Sequence, residues 1–243
     1  MARKHTISQN FLRSPKLALM LVGHTNIRKK DFTLDIGAGS GVFTYALSKK
    51  SARVLAIEAD RETFQKLRSN TRNLENVEIL NADFLKFHLS KLPADYKICA
   101  NIPFHLSSPI LTKLKNSNNQ PKSAYFILQK QFAKKLVSSD THFTSALGAK
   151  IFPFFAAKIK KPLCKTDFTP PPAVDTVFFE LKRREIPLIP PEEMAEFDSF
   201  IDKMFASPEF YKKHAGVKFK TKKPSELKGE NWIEIWRNNG TKN

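Results

Sequence analysis

The stretch FTLDIGAGSGVFTYALSK, residues 32–49, decides the fold of this chain. Its first five residues form a mostly apolar strand pattern, three glycines follow within residues 37–41, and a helix pattern begins at Val42. A strand that turns through glycines into a helix is typical of α/β ligand-binding folds, because glycine lets the backbone approach a ligand. Alone, this signal is weak. Its Gly-x-Gly-x-Gly form favours a cofactor without phosphates over a dinucleotide.

Apolar runs and helix-period segments alternate along most of the chain, which predicts a mostly parallel sheet flanked by helices. The predicted strands are residues 32–36, 53–58, 77–81, 96–100, 123–129, 152–160 and 174–182. The predicted helices are residues 42–49, 61–73, 109–115, 131–137, 192–205 and 231–237. The last two strands follow each other without a long helix between them, so we expect an antiparallel pair at the end of the sheet.

A proline-rich joint, Ile186–Pro191, separates two parts of different character. We therefore expect a catalytic α/β domain at residues 1–184 and a small, basic, helical domain at residues 185–243. The second part has about 60 residues, which is short for independent folding.

Net charge is the strongest compositional signal. The 243 residues include 41 Lys+Arg and 23 Asp+Glu, a balance of +18. This exceeds what solubility requires and predicts a polyanionic partner such as a nucleic acid, although a merely solvated cationic surface is the alternative. The expected phosphate contacts are Arg3, Lys4, Arg13, Lys134 and Lys135.

Other compositional features exclude several classes of protein. The N-terminus lacks a signal-peptide apolar core, and the longest apolar run is too short to span a bilayer, so we expect a soluble, cytoplasmic protein. Two cysteines give no disulfide framework, and the six histidines form no metal-ligand spacing, so we expect no metal site.

Polar side chains stand at the ends of three later strands. Glu58 ends the second strand, Asp83 follows the third, and Asn101 follows the fourth. Each has an ordinary alternative: an exposed acid, a helix cap and a strand-ending turn, respectively. Because the carboxyl ends of parallel strands share one edge of a sheet, the three residues and the glycine loop together predict one pocket for a nucleoside-bearing cofactor.

The tetrapeptide Asn101-Ile102-Pro103-Phe104 narrows the chemistry. A carboxamide, a backbone fixed by proline and an aromatic ring directly after an apolar strand suit the binding of a flat nitrogenous base. A core phenylalanine is the alternative for Phe104, since the chain contains 21 phenylalanines.

These motifs resemble those of the ribosomal RNA adenine N6-dimethyltransferase family. The matching segments, in chain order, are Ser8–Leu12, Asp35–Gly41, Glu58, Asp83, Asn101–Phe104 and Phe168–Asp175. The resemblance implies a Rossmann-like class I methyltransferase sheet with its last strand antiparallel, a small helical C-terminal domain, and S-adenosylmethionine as cofactor.

The resemblance also implies roles for individual residues. The implied cofactor contacts are Asn10, Leu12, Gly37, Gly39, Glu58, Asp83 and Asn101. Phe104 and Phe168 are expected to sandwich the target adenine, while Asn101 and a backbone carbonyl near Ile102 or Pro103 accept its amino protons. Phe104 replaces a tyrosine of many members, which keeps the stacking face but loses a hydroxyl.

Within the family, the details favour the branch that modifies one adenine of 23S RNA and confers resistance to macrolides, lincosamides and streptogramin B. Ile102, Phe104, His105 and Ser8 differ from the residues usual in the housekeeping branch, which acts on small-subunit (16S) RNA. We expect a monomer with ribosomal RNA as its partner. The alternatives are the housekeeping activity, a non-catalytic RNA-binding relative, and a nicotinamide-dependent dehydrogenase, which would leave Asn101–Phe104 and the charge unexplained.

Overall fold

The structure, a computed structural model, describes residues 10–137 and 144–240. The chain divides into two compact units. The first comprises Met1–Lys130 and Lys160–Glu180, and the second comprises Gln131–Ile159 and Leu181–Asn243. In the part of the chain that is described, no helix has the length and apolarity that a membrane span requires.

A seven-stranded sheet forms the framework. Its strands are β2 (Phe32–Ile36), β3 (Arg53–Glu58), β4 (Val77–Asn81), β5 (Lys97–Ala100), β6 (Ser123–Gln129), β7 (Phe155–Leu163) and β9 (Thr176–Arg183), in the order β4-β3-β2-β5-β6-β9-β7. Strands β2 to β6 pair in parallel. Because β2 has β3 on one side and β5 on the other, the strand order reverses beside β2, and such a switch point opens a crevice at the carboxyl ends of the strands.

The helices alternate with these strands in unit one and predominate in unit two. They are α1 (Pro15–Gly23), α2 (Val42–Ser48), α3 (Arg61–Thr71), α4 (Ser107–Lys115), α5 (Lys130–Lys134), α6 (Ala146–Ile151), α7 (Met194–Ala206), α8 (Pro208–His214), α9 (Gly216–Phe219) and α10 (Gly229–Gly240). The predicted mostly parallel, helix-flanked architecture is thereby confirmed.

The turn from β2 into α2 takes a form that only glycines adopt without strain. Gly37, Gly39 and Gly41 all have positive φ angles. A Cβ atom on Gly41, whose φ is +95°, would lie 2.9 Å from Leu67 Cδ1. The loop therefore packs directly on α3, and α2 begins immediately after it.

A short second sheet brings the N-terminal segment to the framework. Strand β1 (Phe11–Leu12) pairs antiparallel with β8 (Phe168–Thr169), and the Arg13 N–H donates to the Asp167 carbonyl at 2.9 Å. Helix α1 follows, with the Ser14 hydroxyl accepting from Leu17 N at its start. At its end, the Lys50 ammonium donates to the carbonyls of Val22 and Gly23, a favourable place for a cation.

Aromatic side chains fill much of the second unit. Trp232 is fully buried, and Phe205 packs against it at a ring-centroid distance of 5.3 Å. Phe197 meets Trp236 edge to face, and the Trp236 indole donates to the Glu193 carboxylate at 3.1 Å. These contacts join α7 and α10, the two helices that were predicted beyond the proline-rich joint.

Four strands, β2, β3, β4 and β6, have the predicted bounds, whereas β7 begins three residues later than predicted. Helices α1, α6, α8 and α9 and the β1–β8 pair were not predicted. The predicted domain boundary after residue 184 lies near Leu181, where the chain enters the second unit for the last time. That unit also takes in Gln131–Ile159, which the sequence boundary assigned to the catalytic part, so the domain division stays a prediction.

We predict that Gly41→Ala destabilises the first unit by roughly 1–3 kcal/mol, because alanine is strained at this φ angle and its Cβ would contact Leu67. Urea-induced unfolding would measure the change. The matched control is Gly23→Ala in α1, where a Cβ would have no neighbour within 4 Å. Equal stabilities for the two variants would contradict this account of the loop.

Candidate active site

A cavity of about 370 Å³ lies at the carboxyl ends of β2, β3, β4 and β5. It collects every residue that was predicted to contact the cofactor and most of those predicted to hold the base. These lining residues are Asn10, Leu12, Gly37, Gly39, Glu58, Asp83, Asn101, Ile102, Pro103 and Phe104. Residues distant in sequence therefore meet where the strand order predicts a ligand crevice.

Glu58 holds the glycine loop against the end of β3. Its Oε2 accepts from Gly39 N at 2.8 Å, its Oε1 accepts from Asp60 N at 3.0 Å, and only 4% of the residue is exposed. Each carboxylate oxygen keeps a further lone pair for a ligand hydroxyl. Glu58 is not an exposed strand-end acid, the ordinary alternative, because it is buried in the cavity wall.

Asp83 caps a turn and also lies on the cavity wall. Its Oδ1 accepts from Leu85 N at 2.8 Å and so caps a short 3₁₀ turn, Phe84–Lys86. The residue remains exposed on the cavity wall. One carboxylate oxygen is thus engaged by the backbone, and the other is available to a ligand amino group.

The charge of the cavity is opposite to that of the protein. Among the described residues that line it, Glu58, Asp60 and Asp83 are carboxylates, and there is no lysine or arginine. The chain as a whole carries a net charge of +18. A cavity with this lining favours a cationic ligand and disfavours a pyrophosphate.

The side-chain amide of Asn101 is oriented by the N-terminal segment. Its Nδ2 donates to the backbone carbonyl of Asn10 at 2.7 Å. This hydrogen bond fixes which end of the amide is the donor, and it leaves Oδ1 as the free acceptor. Asn10 therefore contributes both to the cavity wall and to the orientation of Asn101.

The three residues after Asn101 differ in their burial and in their contacts with the cavity wall. The Ile102 side chain is buried, and the Phe104 ring is half-buried on the cavity wall. The Pro103 ring lies 3.3 Å from where a Cβ on Gly37 would be, so proline closes directly on the glycine loop. The Pro103 carbonyl already accepts from Leu106 N at 2.9 Å, which makes the Ile102 carbonyl the more available acceptor.

Phe168 is placed differently from the expectation. It is 0% exposed, does not line the cavity, and packs in a core cluster that includes Leu12. A fully buried ring presents no face to a base, so in this structure it forms no half of an aromatic sandwich. Its stacking role stays a prediction that requires the ring to move.

The predicted phosphate contacts are only partly described. Arg3 and Lys4 lie outside the described residues. Arg13 is exposed directly after β1, and Lys134 and Lys135 are exposed at the end of α5. None of these last three lines the cavity, as expected for contacts to an RNA backbone away from the reacting base.

Several lining residues were not predicted from sequence, among them Phe11, Asp60 and His105. The Phe11 ring packs over the loop, 3.2 Å from a Cβ position on Gly39. Asp60 could have been predicted as a lining residue, because it lies two residues after Glu58 at the end of the same strand. Phe11 gave none, because its strand pairing with β8 is a long-range contact.

Asp35 is a buried titratable group beneath the glycine loop. It is 1% exposed, and Thr44 Oγ1 donates to its Oδ2 at 2.7 Å. Burial raises the pKa of this carboxyl to about 7; the Thr44 hydrogen bond opposes the shift, and the charge of Glu58 adds to it. In the folded protein Asp35 therefore keeps its proton well above the pH at which it ionises in the unfolded chain.

We predict that Asp35→Asn flattens the pH dependence of stability. Between about pH 4 and 7 the folded state binds the Asp35 proton and the unfolded state does not, so stability falls as pH rises, by about 1.4 kcal/mol per pH unit. Asparagine has no such proton, and its Oδ1 can still accept from Thr44. Urea unfolding at several pH values should show that the free energy of unfolding of the variant rises relative to that of the unmutated protein as the pH increases from 4 to 7. Parallel curves would refute the assignment.

Comparison with known proteins gives a consistent result. Residues 2–209 match the family model described as ribosomal RNA adenine dimethylase. An rRNA adenine N-6-methyltransferase of Staphylococcus aureus is 34% identical over 196 residues, which cover 81% of this chain and 78% of that protein. A ribosomal RNA small subunit methyltransferase A of Francisella tularensis is 31% identical over 184 residues, 74% of this chain and 70% of that protein.

Solved structures show the same fold. The crystal structure of the 23S rRNA methyltransferase ErmE superposes with a TM-score of 0.77 at 23% identity, covering 94% of this chain and 98% of that one. A dimethyladenosine transferase from Plasmodium falciparum gives a TM-score of 0.74 at 20% identity, covering 95% and 98%.

Proposed function

We propose that this chain, which belongs to the ribosomal RNA adenine dimethylase family, methylates N6 of a specific adenine in 23S ribosomal RNA and thereby confers resistance to macrolides, lincosamides and streptogramin B. The family and its relatives make the chain an S-adenosylmethionine-dependent rRNA adenine N6-methyltransferase. The choice of 23S RNA, the residue roles and action as a cytoplasmic monomer are parts of the proposal.

The cavity fits the implied cofactor. S-adenosylmethionine carries two cationic groups, a sulfonium and an ammonium, against one carboxylate, and it has no phosphate. The described lining has three carboxylates and no lysine or arginine. Glu58 would accept from the ribose hydroxyls and Asp83 from the adenine amino group, while Asn10, Leu12, Gly37 and Gly39 would complete the wall. When bound, the cofactor supplies an electrophilic methyl group.

The orientation of Asn101 is the observation that carries the proposal. Its Nδ2 is committed to the Asn10 carbonyl, so Oδ1 is left to accept one proton of an adenine amino group. The Ile102 carbonyl would accept the other. An amino group held by two acceptors directs the nitrogen lone pair out of conjugation with the ring, and catalysis then consists of positioning, without a general base.

Phe104 would provide the stacking face for the base. The target adenine must leave its own stack, which costs a few kcal/mol. Stacking on an aromatic side chain contributes about 1–3 kcal/mol per base and offsets part of that cost. Phe104 is half-buried on the cavity wall, whereas Phe168 is fully buried and could contribute only after moving out of its core position.

We predict that Asn101→Ala lowers kcat by on the order of 100-fold, because it removes an acceptor that acts on the reacting nitrogen. The KM for RNA should change little, since most RNA affinity comes from phosphate contacts. Methyl transfer from labelled cofactor to 23S RNA measures both constants. Asn118→Ala, at an exposed asparagine outside the cavity, is the matched control. Full activity of Asn101→Ala would remove the basis of the mechanism.

Several features support the 23S branch. Residues Ile102, Phe104 and His105 resemble the resistance branch more than the housekeeping branch. The housekeeping small-subunit activity remains the second candidate, because small-subunit methyltransferases are among the relatives at similar identity.

Primer extension on both ribosomal RNAs, after expression in a susceptible bacterium, tests the target directly. We predict a modified adenine in 23S RNA together with raised erythromycin resistance, both lost in Asn101→Ala. Modification confined to 16S RNA, in a strain that lacks its own small-subunit dimethylase, would establish the housekeeping function instead. The absence of methylation on either RNA would favour a non-catalytic binder.

A further inference from the structure

The α8–α9 region of the second unit carries a dense group of lysines that the proposed mechanism does not use. Residues 212–228 contain seven lysines and a single carboxylate, Glu226. The lysines are Lys212, Lys213, Lys218, Lys220, Lys222, Lys223 and Lys228, and all seven are exposed.

Within the part of the chain that the structure describes, these lysines have few carboxylate partners. Among the described residues, only Lys218 forms an ion pair, with Glu234 at 2.9 Å. The Glu226 side chain is engaged by the backbone, since its Oε2 accepts from Lys223 N at 2.8 Å. Uncompensated like charges repel one another, and a chain with a net charge of +18 does not need them for solubility.

The backbone beneath the lysines is ordered by its own contacts. Tyr211 is buried and its hydroxyl donates to the Phe219 carbonyl at 3.0 Å, which ties α8 to α9. The turn that follows is closed by Lys222 N to the Phe219 carbonyl and by Glu226 N to the Lys223 carbonyl, both at 2.9 Å. A ligand that binds here therefore meets a prearranged backbone and incurs less ordering cost than it would on a loose tail.

A second lysine pair, distant in sequence, is brought to the same place. Thr144 N donates to the Ser225 carbonyl at 2.7 Å, and Thr144 Oγ1 donates to the Lys135 carbonyl at 3.5 Å. Thr144 thus links the end of α5, with exposed Lys134 and Lys135, to the turn that carries Lys222 and Lys223. The fold therefore brings two lysine-bearing segments, distant in sequence, next to each other.

We propose that Lys134, Lys135, Lys220, Lys222 and Lys223 form a docking surface for the phosphate backbone of the RNA substrate. This lysine surface rests on the proposed function and adds a substrate contact to it. Lysine ammonium groups act as point charges and lack the planar fork of arginine, so the surface contributes affinity and not base recognition. It helps to hold the RNA, and it does not select the adenine.

The test compares two triple variants of the full chain, each of which removes three positive charges. Lys220→Gln/Lys222→Gln/Lys223→Gln alters the lysine surface. Lys66→Gln/Arg72→Gln/Lys91→Gln alters exposed cations of the first unit and is the matched control. RNA affinity is measured by filter binding at several salt concentrations, separately from methyl transfer.

For the lysine-surface variant we expect RNA affinity to fall by on the order of 100-fold at 0.15 M salt, and the slope of log K against log salt to decrease in magnitude by about 2–3. The kcat at saturating RNA should be unchanged. Replacement of the same three lysines by arginine should preserve binding. If the triple variant fails to fold, single Lys→Gln changes should each reduce the slope by about 0.7–0.9.

Equal losses of affinity in the two triple variants, or an unchanged salt slope in the lysine-surface variant, would overturn the proposal. These outcomes differ from a failure of the proposed function. If the proposed function failed, the unmutated protein would transfer no methyl group to ribosomal RNA. If the unmutated protein is active and the lysine-surface variant binds RNA with unaltered affinity, only the proposal of the docking surface is wrong.

Discussion

The candidate site depends on the carboxylate of Glu58, which ties the glycine loop to the end of β3. One oxygen accepts from Gly39 N and the other from Asp60 N, so the loop after β2 and the start of α3 are held by a single side chain. The Ile57 carbonyl adds bonds from Gly37 N and Ala38 N. With the loop fixed in this way, its glycines leave room for Phe11 and Pro103 to close the cavity from the other side.

The contrast in charge between cavity and surface separates two binding tasks. A strongly basic chain attracts a polyanion. If lysines lined the cofactor pocket, the RNA backbone would bind there in competition with the cofactor. The described lining residues include carboxylates but no lysine or arginine. Their negative charge repels phosphate and attracts a sulfonium, so this competition is avoided. The lysines are instead found on exposed helices and turns, such as those of α8 and α9.

The strands and the central cavity could be predicted from sequence because their signals are local. A buried strand such as Arg53–Glu58 is a continuous apolar run, and the residue at its end faces the crevice by geometry alone. The unpredicted parts depend on long-range contacts. The two-residue strand Phe11–Leu12 exists only through its pairing with Phe168–Thr169. The link between Lys135 and Ser225 through Thr144 likewise leaves no trace in either segment by itself.

Phe168 shows how the same long-range pairing affects the residues of the candidate site. Leu12 lines the cavity and pairs with Phe168, and two residues earlier the Asn10 carbonyl orients the Asn101 amide. The N-terminal segment therefore lines the cavity, accepts a hydrogen bond from the Asn101 amide and packs with the buried Phe168 ring. Sequence motifs give Asn10, Asn101 and Phe168 as three separate contacts and do not show that one segment connects them. Since Leu12 and Phe168 pack in one cluster, a shift of the Phe168 ring towards a base would also act on the strand that leads from Asn10.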